Sequence, residues 1–275
     1  MSGGMKKMRE HISAVKNIQK ITSSMKSVSS SKFARSEKKL KLSRHLGEAA
    51  KHFYVVSSFK VQEAVPHTTL VAVSSDRGLC GAMHTKVCGQ VLKFARSYLK
   101  ENKSFDIVCL GEKSKFILSF EYGTKISMVV NGIGHTAPTF SDASKIVSRV
   151  FGGDPYMQGN IVFPLFKNMA EFNVSSLWVY SMPFILSTTA ILSYEYEHEE
   201  FPSFLEFSQV VLLYFALCET YLVELAQRIS AMSNASRNAN EMTSKLALVA
   251  NRKRQQMVTT ELSDIVSGAA VISSK

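Results

Sequence analysis

Two long stretches without proline bracket this chain of 275 residues. All six prolines lie between Pro66 and Pro202, so 65 residues before them and 73 after lack the residue that breaks helices. Glycine is nearly absent there too. Beyond Gly3 and Gly4 the first arm has only Gly47, and the second has only Gly268. Both arms are therefore expected to be helical. A straight helix of about 50 residues spans about 75 Å, whereas a compact chain of this size has a radius of gyration of roughly 19 Å. Two such helices cannot be buried in their own globule and are expected to protrude as a rod.

In the first arm Met5, Met8, Ile12, Val15, Ile18, Ile21, Met25 and Val28 recur at steps of three or four, which is an apolar stripe on one helix face. The pattern continues through Phe33, Leu40, Leu46, Phe53 and Val56. The second arm repeats it with Leu213, Leu217, Tyr221, Leu225, Ile229, Met232, Ala235, Ala239, Met242, Leu246 and Val249. Pairing the two stripes covers both, and because the intervening segment returns the chain, the pair should be antiparallel. After Val249 the stripe thins into Asn251-Arg252-Lys253-Arg254-Gln255-Gln256, then an apolar tail from Ile265 to Ile272. The second helix should outrun its partner there and lie against another surface.

Charge is divided as unevenly as proline. Residues 1–65 hold 14 Lys/Arg against 4 Asp/Glu, residues 66–202 hold 12 of each, and residues 203–275 hold 7 against 6. Nearly all of the net +11 thus lies on the first arm. Its partner should present a negative lining: nucleic acid, an anionic membrane surface or an acidic protein cavity. No apolar run approaches the roughly 18 residues of a membrane span. Cys80, Cys88, Cys109 and Cys218 show no metal or CxxC spacing and read as buried reduced thiols.

The middle alternates strand-like runs (69–74, 105–110, 125–130) with helix-like runs (83–101, 113–120, and 141–151 with Ser141 as its cap). Residues 160–166 and 175–182 read as two antiparallel strands. The expected fold class is therefore α/β. A long antiparallel two-helix coiled coil comes from arms 1–65 and 203–275, and a small Rossmann-like α/β domain spans 66–202.

The turn Ser74-Ser75-Asp76-Arg77-Gly78-Leu79-Cys80-Gly81 follows the first strand, where doubly wound folds bind phosphate. It lacks both common phosphate-loop spacings, and Asp76 would oppose an anion, so a structural turn bracing the rod is preferred over a nucleotide site. The seven histidines have no metal-ligand spacing. Tyr194-Glu195-Tyr196-Glu197-His198-Glu199-Glu200 is either a docking patch or a solvated loop. Arg252, Lys253 and Arg254 lack the interleaved aromatics of a nucleic-acid site, although a coiled-coil nucleic-acid binder using the basic first arm remains the alternative reading.

Three segments resemble the γ subunit of F-type ATP synthase: residues 8–32, with Lys16-Asn17-Ile18-Gln19-Lys20-Ile21-Thr22 at their centre; Ser74–Gly81 followed by Ala82-Met83-His84; and Asn251–Gln255 with Val258–Ala269. Residues 138–144 are similar to mitochondrial forms. The resemblance implies a non-catalytic rotor without cofactor or metal. Its coiled coil would turn inside a hexamer of α and β subunits, and its foot would stand with small stalk subunits on the membrane c ring. By matched position, Arg254 and Gln255 would engage β-subunit loops, and Met25, Thr259 and Glu261 would couple rotation to catalysis. Tyr194 and Glu197 would meet the c ring. Departures are Ser27, Ser29, Ser30 and Ser31, where relatives carry Met and Ala, and Gln256. About three alanine-to-serine changes weaken the isolated helix by on the order of 1–2 kcal/mol. The plant redox insertion is absent, so no thiol switch is expected. The mitochondrial-style motifs place the protein on the matrix side of the inner membrane. No Arg/Ser-rich presequence precedes the match, and the cationic first helix is expected to serve as the targeting signal.

Overall fold

The computed structural model describes residues 2–56, 67–152 and 158–273. The expected boundary at 65/66 and the side chain of Val56 lie outside the described residues. Among the described residues six α-helices, α1 (Ser2–Val56), α2 (Met83–Lys100), α3 (Glu112–Tyr122), α4 (Phe140–Val150), α5 (Met182–Leu186) and α6 (Phe201–Ser273), accompany five strands: β1 (His67–Val73), β2 (Ser104–Leu110), β3 (Ile126–Val130), β4 (Gln158–Phe166) and β5 (Phe172–Tyr180). Contacts group residues 29–230 into one compact unit, and residues 1–28 with 231–275 into another.

In the unit of residues 29–230 the strand order is β3-β2-β1-β4-β5; the first four are parallel and β5 pairs antiparallel with β4. Period-two alternation assigns the faces. Leu70 and Ala72 of β1 pack with α2 and α3 through Val87, Val91, Ala95 and Leu118. Val71 and Val73 point the other way, to Ala143, Ile146 and Val147 of α4 and to Leu213, Ala216 and Leu217 of α6. The expected α/β sheet is present with three layers. The cap of α4 is Thr139 rather than Ser141: Thr139 and Asp142 bond reciprocally in a capping box, which satisfies two amide donors where Ser141 would satisfy one.

Within this unit α1 and α6 run antiparallel. Arg44 meets Glu219, Gly47 abuts Phe215, and Tyr54 bonds Ser208 at 2.7 Å. One window of α6 is long and apolar enough to cross a membrane, unlike the sequence expectation, but 61% of it is buried inside the protein, as in a core helix.

Within the other unit the two helices are again antiparallel, with Gly4 near Lys253 and Lys26 Nζ donating to Ser233 Oγ at 3.1 Å. The buried seam departs from the expected stripe. Val15 is buried as expected, but Ile18, Ile21 and Val28 are more than half exposed, and Thr22 is buried beside Ile21. On α6, Met242 and Val249 are exposed, while Met232 and Ala239 are buried and Thr243, Leu246 and Ala250 are half-buried. The cause is the repeat length. Two helices that stay in register bury positions 3.5 residues apart on average. The expected stripe advanced by slightly less per turn and slid off the seam. Serine and threonine occupy the seam because their hydroxyls turn back to their own helix, as when Thr22 Oγ1 donates to Ile18 O and Thr243 Oγ1 donates to Ala239 O.

Candidate functional site

Beyond Met257, which is half-buried, every described side chain of α6 is exposed. This is the segment expected to outrun its partner. It carries Val258, Leu262, Ile265 and Val266, all more than half exposed. Together with Ile18, Ile21, Val28, Leu248 and Val249 they give the unit of residues 1–28 and 231–275 apolar side chains with no cover. Exposed apolar surface on this scale marks a contact surface for another protein.

Arg254 and Gln255, just before Met257, and Thr259 and Glu261, just beyond it, are all exposed. Gln255 and Thr259 are joined, because Thr259 Oγ1 donates to Gln255 O at 2.9 Å. Arg254, Val258 and Glu261 share an exposed face two turns long. Met25 is not gathered with them. It is half-buried on α1, next to the Lys26–Ser233 contact, and 21 residues of helix separate Ser233 from Arg254, roughly 30 Å. Tyr194 and Glu197 belong to the unit of residues 29–230. Tyr194 packs edge-on against Phe53, and both Tyr194 and Glu197 line a hollow of about 740 Å³ with Phe204 and Glu200. Glu197 itself is exposed, and its carbonyl accepts from the amides of Glu200 and Phe201, starting α6.

The turn after β1 is built as a brace to α6. Asp76 Oδ1 accepts from the Glu112 amide at 2.7 Å and Oδ2 from the Gly132 amide at 2.6 Å. Its carboxylate therefore fills the place at the strand ends and the α3 N-terminus where an anion would bind. Ser74 Oγ bonds His84 Nδ1 at 2.7 Å, and His84 Nε2 lies 2.9 Å from Cys80 Sγ. Burial lowers the His84 pKa and pushes the Cys80 thiol up to about 11, so this row is neutral and not nucleophilic at physiological pH. All four cysteines are buried free thiols. From α6, Arg228 donates to Gly78 O at 3.3 Å and pairs with the buried Glu224, while Gln227 packs on Gly81.

Two ion pairs escaped the sequence reading. Glu219 is fully buried; its Oε1 accepts from Arg44 Nε at 2.5 Å and its Oε2 from the Phe166 amide at 2.8 Å. Arg44 also donates to Phe166 O at 2.8 Å, so one pair ties α1, α6 and the end of β4. Glu224 is the second. Burial raises its pKa, with Arg228 opposing the rise. A carboxylate inside the apolar stretch 210–229 is the only sequence signal for either, and it does not name the partner.

A fold of two long paired helices with an α/β sheet, a neutral turn and an uncovered apolar helix end defines a protein that works by contact with others. Comparison with known proteins identifies the class. A family model described as ATP synthase matches residues 4–272. The chain is 40% identical over 272 residues to the mitochondrial ATP synthase subunit gamma of Drosophila melanogaster, covering 98% of this chain and 90% of that one. It is 33% identical over 270 residues to the mitochondrial F(1) complex subunit gamma of Rattus norvegicus, covering 98% and 99%. The fold is similar to the rotor of the Euglena gracilis mitochondrial ATP synthase, with a TM-score of 0.76, 15% identity and coverage of 94% and 100%. A chain of the Tetrahymena thermophila central stalk and c ring is 25% identical, with a TM-score of 0.64 and coverage of 78% and 99%. The chain belongs to the ATP synthase gamma-subunit family. Nothing in these relatives supports the nucleic-acid reading.

Proposed function

We propose that this chain is the non-catalytic central-stalk rotor of an F1Fo ATP synthase, coupling proton-driven rotation of the c ring to ATP synthesis in the hexamer of α and β subunits. The observation that carries this reading is the uncovered apolar surface of residues 1–28 and 231–270 in a member of the gamma-subunit family. Inside the hexamer that surface is enclosed, and the excess of cations on residues 1–65 suits an acidic bore. The two helices are unequal in length and charge, so a turning pair presents a different face to each β subunit. Domain roles follow at 1–65, 66–202 and 203–275.

Arg254 and Gln255 engage β-subunit loops, with Thr259, Glu261 and, higher on the pair, Met25 transmitting the turn. Tyr194 and Glu197 contribute to the foot on the c ring, beside the small stalk subunits. The relatives' names place the complex in mitochondria, and the chain works on the matrix side of the inner membrane. The neutral Ser74–His84–Cys80 row and the self-occupied anion position at Asp76 support a role without chemistry of its own. Purified α and β subunits should co-purify with this chain and gain ATPase activity, and removal of residues 252–275 should weaken the coupling. Absence of co-purification and an unchanged ATPase rate would refute the reading.

A further inference from the structure

We propose that the outer edge of β3 receives an extended, acidic segment of a partner subunit, which adds a strand to the sheet. β3 is the last strand on its side and pairs only with β2 among the described residues. Apart from the exposed Ser127, which bonds Asp106, its side chains are apolar and half-buried: Met128 and Val130 pack toward the core under α4, and Ile126 and Val129 toward the core under α3. Val130 O accepts from the Gly111 amide at 2.8 Å. Strand alternation then turns the N–H and C=O of Val129 outward. The five residues of β3 hold no proline and no charge, the devices that normally protect a sheet edge.

Charge selects the occupant. A groove of about 480 Å³ runs between β3 and α4, and its ionisable lining consists of Lys145 and Arg149, with no acid. Both are exposed and one helical turn apart, and neither forms an ion pair among the described residues. Asp142, the nearest acid on α4, is held by the hydroxyl and amide of Thr139. Because α4 returns the chain between the parallel strands β3 and β4, its axis runs back along them. The four residues of helix from Lys145 to Arg149 advance about 6 Å and two residues of strand about 6.6 Å, so acids at alternate positions of an added strand match Lys145 and Arg149. Main-chain bonds supply the affinity and the paired charges the choice. A second copy of this chain is a poor occupant: antiparallel pairing of two β3 edges would bring four cations onto one face.

This edge is a surface distinct from the helix pair, and assembly is scored separately by co-purification. The test is carbodiimide cross-linking and amide exchange on the assembled complex and on the isolated chain. Lys145 should be recovered in an amide bond to an Asp or Glu of another subunit, and the Val129 amide should exchange about ten-fold or more slowly in the complex. Lys145→Glu with Arg149→Glu should abolish both effects while leaving the melting temperature of the isolated chain unchanged. Equal exchange at Val129 in both states, no Lys145 cross-link to a partner, or a cross-link only to a second copy would overturn the proposal.

Discussion

At the scale of single residues, Gly47 shows how a sequence oddity becomes a contact. As the first arm's one internal glycine it weakens its helix, yet a Cβ there would lie 2.6 Å from the Phe215 ring. Gly47→Ala should therefore lower stability by about 1 kcal/mol, since overpacking of about 1–3 kcal/mol less a gain of about 1 kcal/mol in helix propensity leaves roughly 0–2 kcal/mol. A higher melting temperature for the variant would contradict this. Glu224 makes a prediction about pH. Its pKa is raised above the ordinary 4.5 by burial, so above that value the unfolded chain loses a proton that the native chain keeps. Stability from this group is complete below 4.5 and declines as pH rises through the window up to the native value. Denaturant titrations across this range should show the decline, and Glu224→Gln should flatten it; an unaltered slope would assign it elsewhere. The glycine was legible in the sequence as an exception. The glutamate's partner was not, because an i, i+4 arginine inside an apolar run says nothing about which face is buried.

At the scale of elements, the strands and helices of the sheet were readable to within a few residues, since β1 and β2 are short continuous apolar runs and α2 repeats at helical period. The helix seam was read less well. The steps of the stripe read from the sequence averaged slightly less than the 3.5 repeat of a pair, and the difference accumulates over several turns. That drift exposed Ile18, Ile21 and Val28 and buried Thr22 and Ser29 instead. A seam with so much hydroxyl buries little apolar area, so the pair formed by residues 1–28 and 231–257 should be weakly held. Amides there should exchange markedly faster in the isolated chain than amides of residues 29–54, and should become protected when α and β subunits are added. Uniform protection in the isolated chain would refute this. In the other unit, Arg44→Ala leaves Glu219 buried without its cation. The loss should be roughly 3 kcal/mol or more in denaturant unfolding, and a variant within a few tenths of the parent would show the clamp to be unimportant.

At the scale of the whole molecule, charge and proline placement carried most of what could be read about purpose. They separated a basic first arm from a neutral middle and required long helices at both ends. The residues proposed for coupling were legible only by resemblance, because exposed Arg254, Gln255, Thr259 and Glu261 would take their meaning from a surface on another chain. Nothing in their local geometry distinguishes them from a solvated helix face. A rotor must turn, and that is the claim to test. With its four native thiols buried, a cysteine introduced at the exposed Leu192 offers a single reactive handle for a visible probe. With the chain reconstituted in the α and β hexamer on a surface, the probe should turn persistently in one direction while ATP is hydrolysed. It should slow or stall when residues 252–275 are removed. A probe that stays still while the hexamer hydrolyses ATP at the same rate with and without this chain would contradict the assignment.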